Sequence, residues 1–147
     1  MPVFQSGFTL VELVVVILLV GILSAVAIPR FFKTSGFTER NATEEILIAF
    51  RYAQQLAMSR SGNIQMVIDG NNYRIQEVGP PITIVANPNG AGNYSVNLPG
   101  GITASNTTIT FDSLGRPSPN SQTDIAIGNS GTYTVRIEKE TGYAHRI

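Results

Sequence analysis

The chain contains no cysteine and one histidine, His145, and only 14% of its 147 residues are charged. Without cysteine there is no disulfide, no thiolate metal site and no thiol nucleophile. One histidine close to the C-terminus argues against an imidazole-based catalytic centre. Lys and Arg number ten against ten Asp and Glu, a net charge of zero. That gives no bulk attraction to nucleic acid or acidic lipid. Fourteen glycines and eight prolines promise many turns, yet are too few for a collagen-like or low-complexity chain. A chain this long fits one domain with one accessory segment.

What the sequence does have is an uneven distribution of apolar residues. Within Phe8–Ile28 only Thr9, Glu12, Gly21 and Ser24 are not strongly apolar. As a helix rising about 1.5 Å per residue, this run reaches roughly 30 Å, the thickness of a bilayer's hydrocarbon core. It is too long for the core of a secretory signal, and Ile28-Pro29 after Ala25-Val26-Ala27 disfavours cleavage there. A membrane anchor is the expectation. Glu12 is the anomaly in it, because a carboxylate inside a span costs on the order of 3 kcal/mol and ordinarily has a partner or a role. No Lys, Arg or His lies within the run. An α-amino group could serve if the chain began near Glu12, and a cut between Gly7 and Phe8 would place one a helical turn away. Pro29 lacks the N–H that would bond to Ala25, so a kink or break is expected near Gly21–Pro29.

Gly7-Phe8-Thr9-Leu10-Val11-Glu12-Leu13, with Gly21 and then Ile28-Pro29-Arg30-Phe31, resembles the N-terminus of type IV pilins and the related pseudopilins. The resemblance implies that a prepilin peptidase cuts after Gly7 and that Phe8 becomes the N-methylated first residue. It further implies that Glu12 neutralises the N-terminus of a neighbouring subunit during filament growth, with Gly21 and Pro29 as further assembly positions. Two opposite charges attract strongly in hydrocarbon, and pairing relieves both desolvation penalties together. Met1–Gly7 contains no Lys or Arg, whereas leaders of that family are usually basic.

Beyond the apolar run, Ser35-Gly36 is expected to weaken helix. An amphipathic stripe then follows through Ala42, Ile46, Ala49, Phe50, Ala53, Leu56 and Ala57, a 3.6-residue spacing that predicts a helix packed on its own sheet and ended by Ser61-Gly62-Asn63. The remainder reads as strands: Ile64–Ile68, a turn at Asp69–Asn72, Tyr73–Val78, Ile82–Val85, a loop over Asn87–Asn93, then Tyr94–Leu98, Thr107–Phe111, Asp124–Ile127, Thr132–Glu138 and Tyr143–Ile147. The expected fold class is α+β, a long N-terminal helix on antiparallel strands. The expected organisation is a leader over 1–7, a membrane-spanning assembly helix over 8–29, an amphipathic helix over 30–61 and a β-rich domain over 62–147.

In the C-terminal half, Thr108–Pro117 (TITFDSLGRP), Ile125-Ala126-Ile127, Tyr133–Ile137 and Thr141-Gly142-Tyr143 resemble the GspH/FimT group of minor pilins and pseudopilins. Local chemistry explains the same residues: Gly115 and Gly142 supply positive φ, and Phe111 points into the core. No nucleophile–base pair, metal-ligand set or phosphate loop stands out, so neither a cofactor nor a metal is expected. Asp112 and Asp124 sit near turns, where Asp is favoured for capping and Asx geometry, and Asn87-Pro88-Asn89-Gly90 lacks the acidic ligands of a calcium loop. Some FimT-type pilins bind DNA around the Thr-Gly turn. The corresponding residues are Arg136, Lys139, Tyr143 and Arg146, but Glu138 and Glu140 interleave with them, and the expectation is against nucleic acid.

The reading is thus a non-enzymatic minor pilin or pseudopilin of a type IV pilus-like or type II secretion filament. It sits in the bacterial inner membrane with its C-terminal domain periplasmic before passing into the pilus or pseudopilus. The implied partners are prepilin peptidase, other pilin subunits, the inner-membrane assembly platform and membrane lipid. The alternatives are a DNA-binding minor pilin, a major adhesive pilin and an uncleaved membrane-anchored sensor.

Overall fold

In the computed structural model residues 9–31, 35–90, 92–129 and 133–147 are described. The chain divides into two compact units, Met1–Thr34 and Ser35–Ile147.

The first unit holds helix α1 (Leu10–Phe31). Thr9 caps it: its hydroxyl accepts the Glu12 N–H at 3.2 Å, and its carbonyl accepts the Leu13 N–H. Thr-x-x-Glu ahead of an apolar run is a capping signature, and an acid in the first turn also complements the helix dipole. The break expected near Gly21–Pro29 is not there, since α1 continues to Phe31. A proline this near the helix end removes one backbone hydrogen bond from the last turn and leaves the rest of the ladder in place. Ser24 disposes of its hydroxyl by donating to the Val20 carbonyl at 2.7 Å. The described side chains from Leu10 to Leu23 are exposed within this chain. Among the described residues no helix is long and apolar enough to cross a membrane; the apolar run of the sequence itself continues to Ile28.

The second unit opens with α2 (Ser35–Arg60). Ser35-Gly36, expected to weaken helix, forms its first residues instead. The predicted stripe is the buried face: Ala42, Ile46, Ala49, Phe50, Ala53 and Ala57 are fully buried and Leu56 partly so. Leu47 and Thr43 join it, the Thr43 hydroxyl being satisfied by the Glu39 carbonyl at 2.7 Å. Ser61 adopts φ 52° beyond the helix end and the Gly62 N–H bonds back to the Ala57 carbonyl, as in helix C-caps.

Nine short strands follow: β1 (Ile64–Asp69), β2 (Asn72–Glu77), β3 (Thr83–Ile84), β4 (Ser95–Asn97), β5 (Thr107–Phe111), β6 (Pro117–Ser118), β7 (Thr123–Ile127), β8 (Tyr133–Ile137) and β9 (Ala144–Arg146). They make two antiparallel sheets. One has the order β3-β2-β1-β5-β6 with β4 also on β2, and the other has the order β7-β8-β9. The β1–β2 hairpin closes with Asp69 opposite Asn72, and Gly70 takes φ 62° at the first loop position. Strands β3 and β4 lie end to end along β2, because the Asn87–Asn93 loop closes on itself through an Ala86–Asn93 bridge. Strand β6 and the 3-10 turn at Pro99–Gly101 were not foreseen. Two residues beginning with proline carry no alternation and occupy a sheet edge, where proline's missing N–H is tolerated.

Helix α2 packs on both sheets. Alternate residues of β1, β2, β5, β7 and β8 face it, with Phe50 edge-on to Phe111 at 6.5 Å between ring centroids. On the outer face of the larger sheet, Gln76 donates to Gln65 at 2.6 Å and Gln65 donates to Thr110 at 3.1 Å, a polar ladder across register partners. Phe50→Ala is expected to lower unfolding free energy by about 3–5 kcal/mol in chemical denaturation, as for other fully buried rings.

Candidate functional site

Three places assemble the residues singled out in the sequence. The first is α1. Glu12 is exposed there, and among the described residues no cation pairs with it. A side chain built at Gly21 would meet nothing within 4 Å, so the helix presents a notch at that position. Gly7 and Phe8, the expected cleavage and methylation positions, lie outside the described residues. Pro29 lies within α1.

The second place joins α2 to two loops. The Gln54 carboxamide donates to the Gly115 carbonyl at 2.8 Å and to the Thr141 carbonyl at 2.6 Å. Both neighbouring glycines are in the left-handed region, Gly115 at φ 76° and Gly142 at φ 67°, as the turn reading expected. At Gly142 an added Cβ would run into the Gly115 carbonyl, the Gln54 Nε2 and the Phe111 ring. At Gly115 it would meet mainly the flexible end of Met58. The Phe–x–x–x–Gly and Thr–Gly stretches, separated in sequence, therefore form one packed junction around Gln54. Gln54 lies off the apolar stripe, and a polar residue at the edge of such a stripe is the only signal of it in the sequence.

The third place is the C-terminal turn. Arg136 is fully engaged: it faces Asp124 across β7 and β8 and makes two hydrogen bonds of 2.8 Å to its carboxylate. Asp124, at the start of β7 where a strand was expected, is thus held in a cross-strand ion pair, because its register places it directly opposite the guanidinium. Arg146 pairs with Glu44 of α2 at 2.9 Å, and His145 lies 3.7 Å from Glu138. Tyr143 stacks on His145 and lies under the Arg51 guanidinium, 5.7 Å from its ring centre. Lys139 is exposed. The register sets Arg136 and Arg146 on opposite faces of the β7–β8–β9 sheet and commits both to carboxylates.

The electrostatics follow from these partners. The Arg136 hydrogen bond holds the Asp124 carboxyl below its ordinary range. Asp112 is likewise lowered, first by the Arg116 N–H and also by the Leu114 N–H and the Arg116 side chain. Its Asx geometry is the one expected of a turn aspartate. Among the described residues no group of carboxylates and imidazole is placed to hold a metal ion.

Residues 42–142 match the family model described as type II transport protein GspH. The chain belongs to the GspH family. The matched stretch starts at the first residue of the buried α2 stripe and ends at Gly142 in the Gln54 junction, so it spans the packing unit just described. Residues 4–28 match the prokaryotic N-terminal methylation motif. Two crystal structures of the type IV minor pilin FimU of Pseudomonas aeruginosa share the fold. One is 18% identical with a TM-score of 0.57, covering 78% of this chain and 91% of FimU. The other is 19% identical with a TM-score of 0.54, covering 74% and 91%. The α+β pilin fold is therefore the fold of this GspH-family chain, and motif and family together make it a minor pilin or pseudopilin subunit. The motif brings with it membrane anchoring, processing by a peptidase and assembly with other pilin subunits.

Two outcomes test this geometry. Gly142→Ala is expected to lower stability by about 3 kcal/mol or more in chemical denaturation, and Gly115→Ala by less, since only the former meets backbone and a ring; equal losses would contradict the junction. The Asp112 and Asp124 carboxylates, depressed by their partners, stabilise the fold above the ordinary carboxylate pKa, and that contribution is lost as pH falls through the lowered values. Asp124→Asn is accordingly expected to flatten the acid limb of unfolding midpoint against pH.

Proposed function

We propose that this chain is held in the bacterial inner membrane by its apolar N-terminal run, with Ser35–Ile147 in the periplasm. Prepilin peptidase cuts between Gly7 and Phe8, and Phe8 is N-methylated. The inner-membrane assembly platform then moves the subunit into a pilus or pseudopilus, where α1 exchanges lipid for neighbouring apolar helices. Its role is structural, with no catalysis of its own.

The observation that carries this reading is Glu12: an exposed acid in the first turn of an otherwise apolar helix, with no cation partner among the described residues. A new amine on Phe8 of an adjacent copy supplies the missing charge at the depth where it is needed. The Gly21 notch lets a neighbouring backbone approach closely, as small residues do between helices in lipid. Pro29, near the end of α1, is the third assembly position. The boundaries are those of the sequence reading: leader 1–7, assembly helix 8–29, amphipathic helix 30–61 and β-rich domain 62–147. Arg136 and Arg146, both in ion pairs, leave Lys139 and Tyr143 as a weak surface for DNA, and that alternative draws no support from the geometry.

Intact-mass measurement of the protein from its native host is expected to give a chain beginning at Phe8 with one added methyl group. Glu12→Ala is expected to be cut and methylated at the same place, its mass differing only by the substitution, while recovery in extracted filaments falls at least about tenfold, the cost of leaving the amine unpaired. Unchanged recovery contradicts the role of Glu12. Duplex DNA at low salt is expected to migrate unretarded with the wild-type protein.

A further inference from the structure

A cavity of about 390 Å³ opens in the second unit between α2, β2 and the Asn87–Asn93 loop. Its walls include Tyr52, Tyr73, Tyr94, Asn87, Asn89 and Glu45. The aromatic arrangement is ordered. Tyr52 and Tyr94 stack at 5.6 Å between ring centroids, and Tyr73 stands at 53° to Tyr94 at 6.5 Å. Tyr73 is only 3% exposed, yet among the described residues its hydroxyl has no hydrogen-bond partner, and the same holds for Tyr52 and Tyr94. Burial takes up the Tyr73 ring, while its hydroxyl is left open to the cavity. Three phenols and two asparagines border this one space, and the Asn87 Oδ1 already accepts the Asn89 N–H at 3.0 Å.

The charge of the wall narrows the occupant. Glu45 is the one ionisable group of fixed charge lining the cavity, no Lys, Arg or His lines it, and Glu45 is in no ion pair among the described residues. Its carboxylate is near enough to act on two rings: after burial, the negative charge of Glu45 helps push both the Tyr73 and the Tyr94 hydroxyls above their ordinary range. Aromatic rings, phenol and amide oxygens and one carboxylate with no lining cation favour a cation over an anion.

We propose that this cavity receives the basic side chain, arginine or lysine, of a neighbouring filament subunit. The ring faces and Glu45 take the charge, the Tyr and Asn oxygens accept its N–H groups, and the aliphatic stem packs along the tyrosines. A neighbouring subunit as the donor rests on the filament reading; the preference for a cation does not.

The test uses the full chain in detergent micelles with ¹³C-labelled tyrosine. Titration with acetyl-arginine amide is expected to shift the Tyr52, Tyr73 and Tyr94 ring signals saturably, while the neutral isostere acetyl-citrulline amide leaves them in place. Glu45→Gln, a change at an exposed position, is expected to weaken binding about tenfold. Equal binding of citrulline, indifference to Glu45→Gln, or saturation by methyl glucoside instead would overturn the preference for a cation. For the donor, Glu45→Gln protein of correct processed mass is expected to be recovered less well in native filaments. Normal recovery with probe binding lost would overturn the neighbouring subunit as donor and leave the role of Glu12 untouched.

Discussion

Two small antiparallel sheets meet on a single helix, and that shared floor is the constraint on which the globular unit depends. The β7–β8–β9 sheet has three strands and the other is built on three principal ones, and sheets this small need an apolar partner to persist in water. The buried stripe from Ala42 to Ala57 serves both sheets together. Alanine at four of its positions keeps the helix close to the strands, and Phe50 fills the space between them against Phe111. Gln54, at the margin of the stripe, then fastens a loop from each sheet to the same helix through two carbonyls. Packing places the sheets and hydrogen bonding sets their loops. Glycine is needed at 142 because the loops come too close to Gln54 and to each other for a side chain between them, and at 115 because the backbone there is left-handed.

The polar surface shows how a chain of zero net charge distributes its few ions. Arg136 with Asp124 joins two strands, Arg146 with Glu44 joins a strand to α2, and Arg116 with Asp112 closes a single turn. Exposed pairs of this kind contribute little stability individually, but they neutralise the charge that a nucleic-acid interface requires. Glu12 and Glu45 stand outside this pattern. Each lies among apolar or aromatic groups with no cation opposite, one on α1 and the other at the tyrosine cavity. On the readings proposed above, these unmatched acids are where a neighbour's positive charge would be supplied.

Much of this was legible in the chain. The α2 stripe, the Asp69–Asn72 hairpin, the Asn87–Asn93 loop and the turns at Gly115 and Gly142 all follow from periodicity or turn chemistry, which are local properties. The capping of α1 by Thr9 is equally local, since Glu12 stands three residues after a threonine. The continuity of α1 through Pro29 and the strand at Pro117–Ser118 run against proline's usual effect, and position near an end or an edge decides both. The ion pairing of Arg136 and Arg146 depends on strand register and on the return of β9 to α2, neither of which any short stretch encodes.

By itself, the sequence determined the apolar N-terminal run with its one acid, the methylation motif, the α+β class and the left-handed glycines, since each depends on spacing or backbone preference within a few residues. Only the tertiary structure decided that Gln54 joins two distant loops, that the C-terminal arginines are neutralised, and that three tyrosines from a helix, a strand and a loop edge face one cavity beside Glu45. Those are contacts between segments far apart in the chain. They exist once the stripe of α2 has brought the segments together, and no local pattern records them beforehand.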